Sequence, residues 1–124
     1  FSGQHKSPWS VTSAKFPTTA YGRTKAEGED RVLNLYSERS YILRTAWLYS
    51  PWRKNFAKTM LNLAVNGNLE VQVVDDQIGQ PTWTKDLVSQ IIAMVDAKVP
   101  AGTYHATSSG QTSWFGLTQR ICCG

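Results

Sequence analysis

The chain has 124 residues, 41% of them hydrophobic and 18% charged, with five Trp. That is enough for a compact domain with a real core and is unlike a disordered chain. The net charge of +4 comes from scattered residues such as Lys6, Lys15, Arg23, Arg44 and Lys58, not from one basic stripe. This speaks against a nucleic-acid partner and suits a phosphorylated small molecule.

No apolar run approaches the ~18 residues of a membrane helix and no signal peptide opens the chain, so a cytoplasmic protein without a membrane partner is expected. Cys122 and Cys123 are adjacent and unsuited to bridging each other, and His5 and His105 lie too far from them for zinc spacing. The chain starts in mid-stream at Phe1 and stops at Gly124 inside a predicted helix. It reads as a piece of a longer protein.

In chain order, Phe1 to Thr19 is rich in Ser, Pro, Gly and Lys without a period, which predicts a surface loop. A helix follows. Tyr21, Lys25, Gly28, Val32 and Leu35 recur at helical spacing and are expected on its inner stripe, with Glu27, Glu29, Asp30, Arg31 and Glu38 solvated. Gly28 on an inner stripe suggests close approach to a neighbour, since Gly costs ~1 kcal/mol against Ala there.

The run around Tyr41 to Thr45 predicts a buried, parallel strand ending before Ser50-Pro51. A helix capped by Asn55 comes next, with Phe56, Met60 and Leu63 on one face and Asn66-Gly67 closing it. The alternation of Leu69, Val71 and Val73 with Glu70 and Gln72 predicts a half-exposed strand. Thr84 is the expected cap of a helix with Asp86 in its first turn and Leu87, Ile91 and Met94 inward. The run "GTYHAT" predicts a strand, and Ser113 caps a last helix. Alternating strands and helices without a repeat make an α/β chain.

Tyr21 and Lys25 form the first chemical candidate. The spacing alone is a weak motif, but a lysine on an apolar stripe needs a partner or a task. Lys25 beside Tyr21 stabilises a phenolate, so the phenol can give a proton to a carbonyl oxygen as hydride reaches carbon. Trp47, after the strand in "RTAWLY", sits where α/β folds bind ligands and is either a platform for a sugar face or a core tryptophan. Arg53 and Lys54 precede a helix N-terminus and could meet a diphosphate or be ordinary surface residues. Asp75 and Asp76 read as strand-end and turn residues and not as a metal site. Neither a G-x-S-x-G elbow nor a glycine-rich dinucleotide fingerprint is present.

The stretches "AYGRTKAEGE", "YILRTAWLYS", "NFAKTML", "VVDDQIGQPTWTKDL" and "GTYHATSSGQTSWFG" together resemble the dTDP-4-dehydrorhamnose reductases, which are extended short-chain dehydrogenases/reductases. The resemblance implies the C-terminal part of a Rossmann-type α/β fold plus part of the small substrate-binding domain. Residues 1–46 would end the nucleotide-binding domain and residues 47–124 would belong to the substrate-binding part. It implies reduction of the 4-keto group of dTDP-4-dehydro-L-rhamnose with NADPH or NADH, with Mg2+ admitted as a further cofactor and a homodimer as the full-length state.

By the same resemblance Tyr21 is the proton donor and Lys25 holds the nicotinamide ribose. Tyr21, Lys25, Arg44, Thr45 and Ala46 would contact the cofactor, and Trp47, Arg53, Asn55, Gln77, Pro81 and Thr82 the dTDP-sugar. The family's third catalytic residue would fall just before Phe1-Ser2-Gly3. "YSPWRKNF" stands where a glycine-rich loop is frequent, and "ICCG" departs from the family's final helix. The chain alone is expected to be inactive, since the loop holding the cofactor is not in it. Two other classes remain: a nucleotide-sugar epimerase or dehydratase of the same superfamily, and a non-catalytic subunit resembling the β subunit of methionine adenosyltransferase.

Overall fold

The structure is a computed structural model and describes residues 10–12, 15, 17–67 and 70–123. Most of the expected opening loop, Leu69 of the expected strand and Gly124 lie outside the described residues. The chain divides into two units, residues 1–44 with 99–105, and residues 45–98 with 106–124.

In the first unit, helix α1 spans Ala20–Tyr36. Thr19, in an extended conformation, caps it by accepting from the Gly22 amide at 3.0 Å, which satisfies one of the orphan donors of the first turn. Strand β1 (Tyr41–Arg44) pairs in parallel with β5 (Gly102–His105), from Tyr41 opposite Gly102 to Arg44 opposite His105. The Gly102 amide extends the ladder to the Ser40 carbonyl at 3.0 Å, and the Tyr41 hydroxyl donates to the Val99 carbonyl at 2.6 Å. Both predicted strands are present and β1 is parallel as expected, but its four residues are half-buried and not buried.

The setting of α1 differs from the expectation. Ala26 is its buried residue, with Gly22, Glu29 and Leu33 half-buried beside it, while Tyr21 and Leu35 are each 74% exposed. At 100° per residue these half-buried positions centre roughly 110° from Tyr21, so the Tyr21 stripe is an outer one. Gly28 is exposed with nothing within 4 Å of where a Cβ would stand, so no close approach accounts for it. The physical reason for the rotation is Glu29, which turns inward to meet Arg44 and Lys15.

The second unit holds helices α2 (Phe56–Val65), α3 (Thr84–Asp96) and α4 (Trp114–Cys123). Short strands β2 (Leu48–Tyr49) and β4 (Thr82–Trp83) pair in parallel, and β3 (Ile78–Gly79) pairs antiparallel with β6 (Thr112–Ser113). Asn55 caps α2, its side-chain oxygen accepting from the Lys58 amide at 2.9 Å, and Gly67 follows the helix at φ 75°, a conformation glycine adopts freely. α2 packs on α4 with Met60 buried and Phe56 and Leu63 half-buried, the face read from the sequence. On α3, Leu87 and Met94 are half-buried as expected, but Ile91 is 39% exposed.

Two expectations fail here. Residues 70–74 form no strand, because the Val74 carbonyl accepts from the Phe115 amide at 3.1 Å, at the start of α4, and not from a neighbouring strand. Thr84 does not cap α3: Trp83 holds the cap position without a side-chain bond, and the Thr84 hydroxyl is buried without a partner among the described residues. Ser113 does cap α4, accepting from the Gly116 amide at 3.0 Å.

Candidate functional site

Tyr21 and Lys25 stand one turn apart on the exposed side of α1, with the Lys25 ammonium 5.6 Å from the centre of the Tyr21 ring. The helix gives this proximity directly, since residues four apart are neighbours on its surface. Both groups are exposed in this chain.

One turn further along α1 is a charged cluster. Arg44, the last residue of β1, grips Glu29 with two parallel bonds, Nε to Oε1 at 3.0 Å and a terminal nitrogen to Oε2 at 2.8 Å. Lys15 reaches the same carboxylate at 3.1 Å and Asp30 at 2.5 Å. Arg44 and Glu29 are only 11% and 14% exposed, so the fork geometry acts in a shielded site where it is strong. The Arg44 guanidinium holds the Glu29 carboxyl below the usual carboxylate range, against the opposing effect of burial and with help from Lys15. Burial pulls the Lys15 ammonium down, but its bonds to Asp30 and Glu29 outweigh that and its pKa ends raised. The Arg44 side chain, expected at the cofactor, is thus committed to Glu29.

The second unit gathers an aromatic site. Trp47 has φ 46°, a left-handed conformation that costs a bulky residue about 1–3 kcal/mol. Three contacts hold it there. Its carbonyl accepts from the Thr82 amide at 3.1 Å. Its indole stacks on Trp114 with centroids 3.6 Å apart and planes 12° from parallel. It also lies against Gly79, where a Cβ would stand 2.5 Å from Cζ2 and 2.7 Å from Nε1. Phe56 closes on Trp114 at 4.4 Å, and the Trp114 N–H donates to the Gln77 side chain at 3.2 Å. A recess of about 160 Å³ opens beside the stack, with Tyr49, Lys54, Asn55 and Leu117 among its walls.

The other expected contacts distribute as follows. Thr45 is exposed and Ala46 half-buried, where the chain passes from one unit to the other. Arg53 is exposed, and its carbonyl accepts from the Asn55 side chain at 2.9 Å. Asn55 is occupied as the α2 cap and also bonds the Ser50 carbonyl at 2.6 Å. Pro81 is half-buried, and Thr82 is fully buried, its hydroxyl donating to the Gln80 carbonyl at 3.0 Å. Asp75 lies in a bend, as the sequence suggests, but no strand ends at it, and its carboxylate accepts from the distant Ser113 hydroxyl. Among the described residues no group of three or more His, Cys, Asp or Glu could hold a metal ion. Also among them, no helix is long and apolar enough to cross a membrane.

Sequence reasoning missed Glu29, Lys15 and Trp114. Glu29 shares helical spacing with Ala26 and Leu33, a stripe that could have been noticed, whereas nothing in the sequence pairs Trp114 with a residue 67 positions away.

Parallel β1–β5 pairing with helices α1 to α4 defines the class as α/β, the fold of the C-terminal part of Rossmann-type extended short-chain dehydrogenases/reductases. Within that class the chain belongs to the RmlD substrate binding domain family, which matches residues 1–123. It is 43% identical over 119 residues to a dTDP-4-keto-6-deoxy-D-glucose reductase of Streptomyces niveus, a match covering 96% of this chain and 41% of that one. A dTDP-4-dehydrorhamnose reductase of Clostridium acetobutylicum superposes with a TM-score of 0.89 at 42% identity, over 98% of this chain and 42% of that one. One from Bacillus anthracis, solved in complex with NADP, also superposes at 0.89, with 36% identity over 98% and 42% of the two chains. The chain therefore spans about two fifths of the length of the relatives it matches.

Proposed function

We propose that this chain is the C-terminal part of a reductase that converts dTDP-4-dehydro-L-rhamnose to dTDP-L-rhamnose. Residues 1–46 close its nucleotide-binding part and residues 47–124 serve the sugar nucleotide. The observation that carries the reading is the Tyr21/Lys25 pair, exposed side by side on α1 within a chain of this family. An accessible phenol with an ammonium at its ring fits a nicotinamide nucleotide, because the ammonium can bond a ribose hydroxyl and still act on the phenol. NADPH is the preferred cofactor on this reading, supported by the NADP complex of the Bacillus anthracis relative.

When bound, the dihydronicotinamide supplies a hydride to C4 of the sugar. The Tyr21 hydroxyl donates its proton to the C4 carbonyl oxygen, so the ketone gains two electrons and two hydrogens to become an alcohol. Lys25 stabilises the phenolate left behind until solvent reprotonates it. A 6-deoxy-D-glucose series substrate is the second reading, favoured by the Streptomyces niveus relative.

In the full-length protein, Tyr21→Phe should lower turnover by about 10²-fold or more while cofactor affinity stays nearly unchanged. Steady-state kinetics with both dTDP-4-keto sugars, beside a cofactor titration, measures this. A variant that keeps most of its turnover removes Tyr21 from the proton-donor role.

A further inference from the structure

Trp47 is the residue whose flat face suits a sugar ring, yet neither face is open. A Cβ added at Gly79 would stand nearest Cε2 of the Trp47 indole, with the two atoms bonded to it, Cζ2 and Nε1, slightly farther at 2.5 and 2.7 Å, as an approach from above the plane gives. Trp114 stacks on the indole at 3.6 Å, and two groups so close cannot share one side, so Gly79 and Trp114 cover opposite faces. The Gly79 side is backbone of β3, tied to β6, and cannot withdraw without breaking that pairing.

Trp114 is different. Its backbone is fixed at the start of α4, between the Ser113 cap and the Phe115 bond to Val74. Its side chain is held by non-covalent contacts: the stack, the tilted Phe56 ring and a single hydrogen bond to Gln77 at 3.2 Å. Rotation about its side-chain torsions would release the Trp47 face and leave the helix in place.

We propose that Trp114 is a specificity-determining residue that acts as an intramolecular competitor. It occupies the face of Trp47 that a hexose ring takes, Gln77 latches it there, and a sugar nucleotide binds by displacing it. The inference rests on the reading of this unit as a nucleotide-sugar site. Its consequence is a selection for ligands whose sugar ring reaches Trp47. Nucleotide without the hexose leaves the pair closed, whereas a nucleotide-linked hexose replaces the Trp114 ring on the Trp47 face with its own C–H face. Apparent affinity is reduced by the fraction of molecules in the closed arrangement.

The test uses the full-length protein labelled with 5-fluorotryptophan, with the Trp114 and Trp47 fluorine signals assigned from Trp114→Phe and Trp47→Phe. Both signals should shift on saturation with dTDP-L-rhamnose and stay in place with dTDP alone. Calorimetry on Trp114→Leu should give binding of dTDP-L-rhamnose about five-fold tighter, the scale of one aromatic pair. Gln77→Leu, which keeps both indoles and removes the latch, should tighten it by about two-fold. If wild type binds dTDP-L-rhamnose while the fluorine signals stay still, or both variants bind equally or more weakly, the competitor role is overturned and the functional reading stands. If wild type binds neither ligand, the functional reading fails and the competitor role falls with it.

Discussion

The two units hold their candidate residues in opposite ways. On α1 the Tyr21/Lys25 pair is exposed, and the next turn of the helix is held by an ion-paired cluster of Glu29, Arg44, Lys15 and Asp30. In the second unit several candidates take part in packing: Asn55 caps a helix, Thr82 is fully buried and Trp47 is clasped between two neighbours, while the exposed Gln77 accepts from Trp114 and Arg53 stays exposed. A pair proposed to exchange a proton with a ligand needs access, and a charged clamp sets its helix without covering it. A surface that must recognise a ring needs shape, and shape comes from residues that also bear on each other.

The sharpest way to break this contrast is to remove the clamp. Glu29→Ala leaves the shielded Arg44 guanidinium without its carboxylate and should cost about 3 kcal/mol, the low end for a broken buried pair. Urea denaturation of the full-length protein measures it, and a loss within 0.5 kcal/mol, as for an ordinary surface substitution, would reduce the clamp to surface decoration.

The same cluster predicts a pH dependence. The Glu29 pKa is lowered on folding, so its contribution is complete above the unfolded carboxylate range of roughly 4.3 and is lost as pH falls through the folded value. Lys15 works in mirror image. With its folded pKa raised, its contribution is complete below the ordinary lysine range and fades as pH climbs through that raised value. Melting temperature should therefore drop on acidification more steeply in wild type than in Glu29→Gln. Parallel curves for the two proteins would show that another group governs the acid limb.

A smaller effect tests the second unit. Gly79→Ala puts a methyl against the Trp47 indole and should destabilise by about 2 kcal/mol, as overpacking does. It should also weaken sugar-nucleotide binding without touching the Tyr21/Lys25 pair. Unchanged stability and affinity would mean that Trp47 is not clasped.

The smallest effect has the opposite sign. Gly28 sits in the interior of α1 with open space where a Cβ would go, so Gly28→Ala should stabilise by about 0.5–1 kcal/mol. A destabilised variant would place a neighbour of the full-length protein at that point.

Sequence periodicity was sufficient for the α/β class, for α1, α2 and β1, for β5, and for the caps at Asn55 and Ser113. These rest on local chemistry: a side chain that accepts from an amide three residues on, or apolar spacing along one element. The Tyr21/Lys25 pair was legible for the same reason, being four residues apart on one helix. The segment 70–74 was misjudged because alternation cannot tell which partner takes its backbone bonds, and here α4 takes the one at Val74. The rotation of α1 was misjudged because Glu29 reads as a solvated acid until Arg44 arrives from a strand 15 residues later. The stack of Trp47 on Trp114, the left-handed turn at Trp47 and the need for glycine at position 79 belong to tertiary structure alone. Each depends on contact between residues far apart in sequence, and no local propensity records which distant side chain will fill a given space.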